Sequence, residues 1–325
     1  GLGRGWKPLA VLFALFGGFA SFGIGNISQS SEIAGAMNGL FGIDPLVTGI
    51  LLAVIVGVVI IGGVKRIGQV ASYLVPFMAS FYILAGIAVI LLRITQVPAA
   101  LASIVTSAFS FEAVGGGVFG YAIMAAMKQG FARGVFSNEA GLGSAPMAHA
   151  TTSETDPVKQ GVYGIFEVFV DTIIICTLSG LTILCAAKGA GLDLNYGTEG
   201  DTGLNVAAFG TVFGDQFGSL LIAVGLALFA YSTVLSWALY GTRACEFIFG
   251  SKAIRPYQII FIIIIVVGAT MDLGLAWDIA DTLNGLMAIP NLIAVIALSG
   301  VVVRETKRHF ANKAEAKKIE EESKQ

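Results

Sequence analysis

FSNEAGLGSAP, residues 136–146, interrupts a hydrophobic segment that runs from about residue 118 to residue 150. A main-chain group without a partner in hydrocarbon costs several kcal/mol, so Gly, Asn, Glu and Pro persist at membrane depth only where they line a cavity or are wrapped by protein. Gly141 and Gly143 frame a short unwound piece, and Ser144 reads as the cap of a second half-helix with Ala145 and Pro146 in its first turn. Such a break exposes carbonyls at the end of one half, suited to a cation, and amides at the start of the other, suited to an anion. Interrupted helices of this kind point to the solute site of a membrane carrier. The competing reading is a glycine-rich packing kink around a buried ion pair.

Working outward, 56% of the 325 residues are apolar and 12% are charged. Mean hydropathy is +0.84, a value that marks an integral membrane protein. Strand alternation is absent, which argues against an outer-membrane barrel. Cys176, Cys185 and Cys245 lack metal or disulfide spacing and read as packing residues, and His149 and His309 are isolated in the sequence. No nucleotide loop, zinc motif, nucleophile–base pair or soluble catalytic domain stands out, so neither an enzyme nor a nucleic-acid binder is expected. The chain opens at Gly1 with no signal pattern before its first span, as expected of a sequence that begins inside a longer protein.

Hydrophobic runs bounded by breakers predict an all-α chain with eight transmembrane spans at about residues 8–37, 45–64, 69–92, 117–150 (broken), 159–187, 216–241, 256–271 and 277–303. Asp44-Pro45, Val97-Pro98, Asp156-Pro157 and Arg255-Pro256 read as helix starts. Arg4 and Lys7, Lys65 and Arg66, Lys159, then Arg243, Lys252 and Arg255, and the tail from Arg304 all fall on one face, which is therefore cytoplasmic. The opposite loops hold Arg93 and Lys188, and the longest, residues 189–215, carries acids. Residues 1–303 read as one membrane domain and residues 304–325 as a charged, solvated cytoplasmic helix.

Inside the spans, Lys128 and Arg133 are open to three roles: snorkelling, pairing with Glu139, or facing a wet cavity. Glu139 either pairs or carries a proton at that depth. Ser137 and Asn138 offer neutral hydrogen bonds to an ammonium or carboxylate. On the first span, Gly23, Gly25, Asn26, Ser28 and Gln29 make a small, polar outer portion; Gln29 suits either a substrate's charged group or glue between spans. Ser232, Thr233, Ser236 and Trp237 share one helical face, where hydroxyls suit an alkali cation and Trp237 either closes a pocket or packs. Glu167 and Asp171, one turn apart, are functional suspects or partners of Lys128 or Arg133. Asp278, Asp281 and Asn284 read as water-facing or capping, and Pro290 as a kink in the last span.

The stretch GVFSNEAGLGSAP, residues 134–146, resembles the signature of the alanine or glycine:cation symporters, which are sodium-coupled amino-acid carriers of bacteria and archaea. GVKRI at 63–67, VPFM at 75–78, DTIIIC at 171–176 and NGLMAIPN at 284–291 extend the likeness over nearly the whole chain. The resemblance implies two five-helix repeats inverted about the membrane plane, with an extra helix at the amino end. The family's first three spans, which include its other broken helix, have no counterpart before Gly1. The eight spans then correspond to the last three helices of repeat one and all five of repeat two.

The resemblance also implies a substrate pocket drawing on Gln29, Phe136, Ser137, Asn138, Gly141, Thr233 and Trp237. It implies a sodium site (Na+ as the coupling ion) using Ser232, Thr233 or Ser236. Apart from the resemblance, Lys128, Arg133 and Glu139 read as a gating or structural ion pair. The expected function is sodium-coupled uptake of alanine or glycine by alternating access, in a multi-pass cell-membrane protein that needs its missing N-terminal spans to transport. A proton-coupled carrier, with Glu139, Glu167 or Asp171 titrating, is the nearest alternative. An amino-acid sensor or channel is the alternative from a different class.

Overall fold

The computed structural model describes residues 2–109, 116–191 and 201–322, and their secondary structure is helical throughout. In chain order the helices are α1 (Arg4–Phe41), α2 (Pro45–Ile61), α3 (Gly63–Leu92), α4 (Val97–Phe109), α5 (Gly116–Asn138), α6 (Ala145–His149), α7 (Pro157–Ala190), α8 (Asp201–Phe213), α9 (Asp215–Phe249), α10 (Ser251–Ala269) and α11 (Leu273–Glu322). The expected acidic outer stretch falls partly in residues 192–200, outside the described residues, as do the last three residues of the expected tail.

Six of these helices, α1, α3, α7, α9, α10 and α11, are long and apolar enough to cross a membrane. They correspond to six of the eight expected spans; the other two differ in kind. α2 has 17 residues, about 26 Å of helix, which is short of the roughly 30 Å hydrocarbon layer. The fourth span is α5 followed by the break and by α6, whose five residues make little more than one turn instead of a second half-helix. A helix that short carries almost no dipole, so the anion-holding end expected there is not formed.

Local chemistry sets the element boundaries. Asp44 and Asp156 cap α2 and α7 as expected, their Oδ1 atoms accepting from the Leu46 and Val158 amides at 2.8 Å each. α3 starts at Gly63, six residues before the expected start, because Arg66 Nη1 reaches back to the Val58 carbonyl at 2.7 Å and secures the first turn. α11 runs without interruption through Pro290 to Glu322, so the charged tail continues the last span's own helix.

Two π turns, Gly23–Ile27 in α1 and Val170–Ile175 in α7, were not legible in the sequence. They widen the helix by one residue and free carbonyls; that of Ile24 accepts from Ser28 Oγ at 2.8 Å and from Gln29 Nε2 at 3.1 Å. Insertions of this kind recur at functional sites.

α9 joins the three apolar clusters of the core. Ala230, Val234, Leu235 and Ala238 pack with residues of α2 and α10 such as Val56 and Phe261. Trp237 and Tyr240 meet Ala20, Ile24, Leu142 and Met287. Leu221 and Ile222 meet Phe209, Ala85 and Val89. Outward, α2, α7 and α11 expose Leu51, Val54, Ile165 and Ile296, an apolar surface that suits lipid.

Where α1 crosses α9, Gly25 lies against Trp237, and a Cβ there would overlap the Trp237 side chain. Overpacking of this sort costs about 1–3 kcal/mol or more. Gly25→Ala is expected to lower the apparent Tm of the full-length protein in detergent. Gly35→Ala, with nothing within 4 Å of the added carbon, is expected to leave it unchanged or raise it. Equal behaviour of the two variants would contradict this packing.

Candidate functional site

The break is built by three left-handed residues in five: Glu139 at φ 54, Gly141 at φ 78 and Gly143 at φ 84. Glycine takes this region freely, whereas Glu139 pays for it and is the one non-glycine residue with positive φ among those described. Local hydrogen bonds hold it. The Ala140 amide donates to Asn138 Oδ1 at 2.8 Å, and the Leu142 amide donates to the Glu139 carbonyl at 3.1 Å. Ser144 does not cap α6 with its side chain as expected. Its hydroxyl donates to Glu139 Oε2 at 2.5 Å.

Two cavities flank this segment. The first, about 470 Å³, is lined by Gln29, Phe136, Ser137, Glu139, Thr233 and Trp237, among others. The second, about 270 Å³, shares Ser137, Glu139, Thr233 and Trp237, and adds Asn138, Ser232 and Ser236. Trp237, only 1% exposed, both packs edge-on against Tyr240 and stands between the cavities, where it also reaches the Glu139 carboxyl.

The hydroxyls of Ser232 and Thr233 both donate to the Phe229 carbonyl, at 2.8 and 3.0 Å, and that of Ser236 to the Ser232 carbonyl at 3.1 Å. Their oxygen lone pairs therefore stay available to a hard cation.

Three expected residues stand elsewhere. The Gly141 carbonyl accepts from Asn291 Nδ2 at 2.9 Å and its α-carbon abuts Leu292, so it faces α11 and lines neither cavity. Lys128 is exposed and lies outside both linings. Arg133 does not pair with Glu139; it meets Asp281 at 2.7 Å and lies 4.3 Å from the Trp277 ring centroid. Glu139 is the first left-handed residue of the break, and its carboxyl is directed to Ser144 and Trp237.

Asp281 is thus an ion-pair partner that remains partly exposed. Glu167 pairs with His149 Nε2 at 3.2 Å instead of with Lys128 or Arg133. Asp171 accepts from Ser137 Oγ at 2.8 and 3.0 Å. His149 also contacts Gln160.

Several cavity residues escaped the sequence reading: Glu32, Tyr82, Ser179, Asn205 and Trp277. Glu32, which accepts from Trp277 Nε1 at 3.2 Å, is an intramembrane acid and carried the same signal as Glu167 and Asp171. Tyr82 and Ser179, hydroxyl to hydroxyl at 2.6 Å, are single polar residues on apolar helices and carried little.

Residues 1–324 match the model of the sodium:alanine symporter family. The chain is 48% identical over 303 residues to the sodium/alanine symporter AgcS of Methanococcus maripaludis, covering 93% of this chain and 65% of that protein. It is 39% identical to the amino-acid carrier protein AlsT of Bacillus subtilis, covering 94% of this chain and 63% of that protein. It is 38% identical to the probable sodium/glutamine symporter GlnT of the same organism, covering 98% and 64%. The chain spans just under two thirds of the length of these relatives. By the family match and these identities, it belongs to the sodium:alanine symporter family.

Proposed function

We propose that the full-length protein is a secondary transporter that carries a small neutral amino acid, alanine or glycine, into the cell with sodium by alternating access. The observation that carries this reading is the meeting of the break with Gln29, Thr233 and Trp237 around one cavity. The names of two relatives, which speak of sodium with alanine and sodium with glutamine, support both the ion and the substrate class. In this reading Gln29, Phe136, Ser137, Thr233 and Trp237 contact the substrate, and Ser232, Thr233 and Ser236 hold the ion. Asn138, whose amide group is occupied by Ala140 N at 2.8 Å and Thr172 Oγ1 at 3.4 Å, orients the break.

The proposed topology has eight passes, the last three of one repeat and the five of its inverted partner, with three further spans in the whole protein taking up part of the cavity. Both ends of the chain are cytoplasmic, and residues 304–325 form the charged tail of the 1–303 membrane domain. Contacts between cationic turns support that orientation: Arg255 Nη1 donates to the Ile61 carbonyl at 3.1 Å, beside Arg66. At the opposite end Arg93 donates to the Gly189 and Thr211 carbonyls at 3.3 and 3.2 Å.

Arg133 and Asp281, each a little over one-third exposed, form the proposed outer closure over Phe136 and Trp277. An ion pair so placed is worth about 0.2–1 kcal/mol and the cation–π contact about 0.5–2 kcal/mol. Both are small enough to break in every cycle.

A proton-coupled reading is favoured by one feature, the three carboxylates Glu139, Glu167 and Asp171 around the second cavity.

Radiolabelled alanine uptake into proteoliposomes by the full-length protein is expected to require an inward sodium gradient. Equal uptake without sodium, rising instead with an inward proton gradient, would replace sodium by protons. Gln29→Leu and Thr233→Val are each expected to raise the alanine KM severalfold at unchanged protein level; an unaltered KM in both would remove these residues from the site. Arg133→Asp and Asp281→Arg are each expected to slow uptake severalfold, and the double swap to restore part of the rate. A double variant as impaired as the single ones would contradict the closure.

A further inference from the structure

Among the described residues, the backbone of residues 139–144 receives one hydrogen bond from outside residues 138–149, and its donor is Asn291. Asn291 Nδ2 lies 2.9 Å from the Gly141 carbonyl. The other bonds of the segment, from the Ala140, Leu142 and Met147 amides and the Ser144 hydroxyl, close within residues 138–147. Local bonds define the shape of the loop but do not anchor it to the bundle.

The approach is close on both sides of the bond. A Cβ on Gly141 would lie 3.0 Å from Leu292 Cδ2, and one on Gly143 would lie 2.7 Å from Asn291 Cγ and 2.8 Å from the Phe13 ring. The left-handed glycines thus serve the fit to α11 as well as the turn. α11 also touches α5 through Asp281 to Arg133 at 2.7 Å, and the start of α7 through His309 Nδ1 to Asp156 Oδ2 at 2.5 Å. That last contact holds the Asp156 carboxyl below its ordinary value. α11 thus meets the fourth span at Arg133 and again at the break.

We propose that Asn291 is a positioning residue for transport: its amide fixes the Gly141 peptide and so sets where Phe136, Ser137 and Glu139 stand in the two cavities. This rests on the reading of the cavities as the substrate site. Asn291 lines neither of the two cavities and acts only through the break. The side chain must donate, since its partner is a carbonyl; an aspartate of the same size cannot while ionised, and it sets a charge beside that oxygen.

The test uses the full-length protein with native cysteines replaced. Asn291→Asp and Asn291→Leu are expected to raise the alanine KM about tenfold with less than a twofold change in Vmax, while Asn291→Gln, which keeps the amide, is expected to recover at least part of the loss. Gly143→Ala displaces the Asn291 side chain but also strains the left-handed turn at φ 84, so it is expected to raise the KM at least as much, and an unchanged KM there would count against the proposal. A substrate-free readout runs in parallel: a cysteine at exposed Ala140 is expected to react severalfold faster with a water-soluble thiol reagent in the Asn291→Asp background.

Unchanged KM and unchanged Ala140→Cys labelling in folded Asn291→Asp would overturn the proposal and leave the transport reading intact. Absence of alanine uptake by the unaltered protein would remove the transport reading, while the labelling rate would still decide whether Asn291 holds the break. Should Asn291→Asp and Asn291→Leu fail to fold, Asn291→Ser, too short to reach the Gly141 carbonyl, decides by the same KM and labelling criteria, and an unchanged result there counts against the proposal.

Discussion

The main chain between Glu139 and Ser144 must find its hydrogen-bond partners within the protein, and the arrangement around it follows from that requirement. A main-chain group left without a partner away from bulk water costs several kcal/mol. The Leu142 amide turns back to the Glu139 carbonyl, the Ala140 amide takes the Asn138 side chain, and the Gly141 carbonyl takes Asn291 from α11. Local closure gives the loop its shape, and one outside bond gives it an address. Two sides of the segment are then committed to packing, against Leu142's apolar cluster and against α11, and the cavities open beside it.

The π turns extend the same theme. In α1 the widened turn brings Ile24 and Gln29 to the first cavity; in α7 it brings Asp171 and Ile175 to it from the other side. A helix with regular bonds presents only side chains to a solute. One with a π turn or a break also releases carbonyls, which suit a hard cation. α9 supplies the remaining wall and keeps its hydroxyls bonded along its own axis, so the wall stays rigid while its oxygens face the space between helices. This combination of a loosened α1, a loosened α7, an interrupted fourth span and a rigid α9 suits a small zwitterion accompanied by an ion.

Much of this was legible in the residues. The break could be read because glycine, asparagine, glutamate and proline are costly in lipid, and the starts of α2 and α7 because Asp-Pro is a strong local signal. The face shared by Ser232, Thr233, Ser236 and Trp237 followed from helical periodicity. Charge pairing was less legible: opposite charges close in sequence suggested Arg133 with Glu139, but the left-handed turn at Glu139 swings its carboxyl toward Ser144 and leaves Arg133 to Asp281. The shortness of α6 was hidden because Pro146 permits a helix start without saying how long the helix lasts. The π turns left no trace because a one-residue insertion barely disturbs an apolar pattern. Glu32 carried the signal of an intramembrane acid and was passed over beside the more conspicuous Gln29.

Cysteine-accessibility scanning from residue 118 to residue 150 in the full-length protein tests the central claim most directly. A water-soluble thiol reagent should label cysteines at positions 137–140 and be slowed there by alanine with sodium, while outward positions of α5 stay unlabelled. A uniform absence of labelling through the segment, with or without substrate, would mean an unbroken, lipid-wrapped span and would contradict the account.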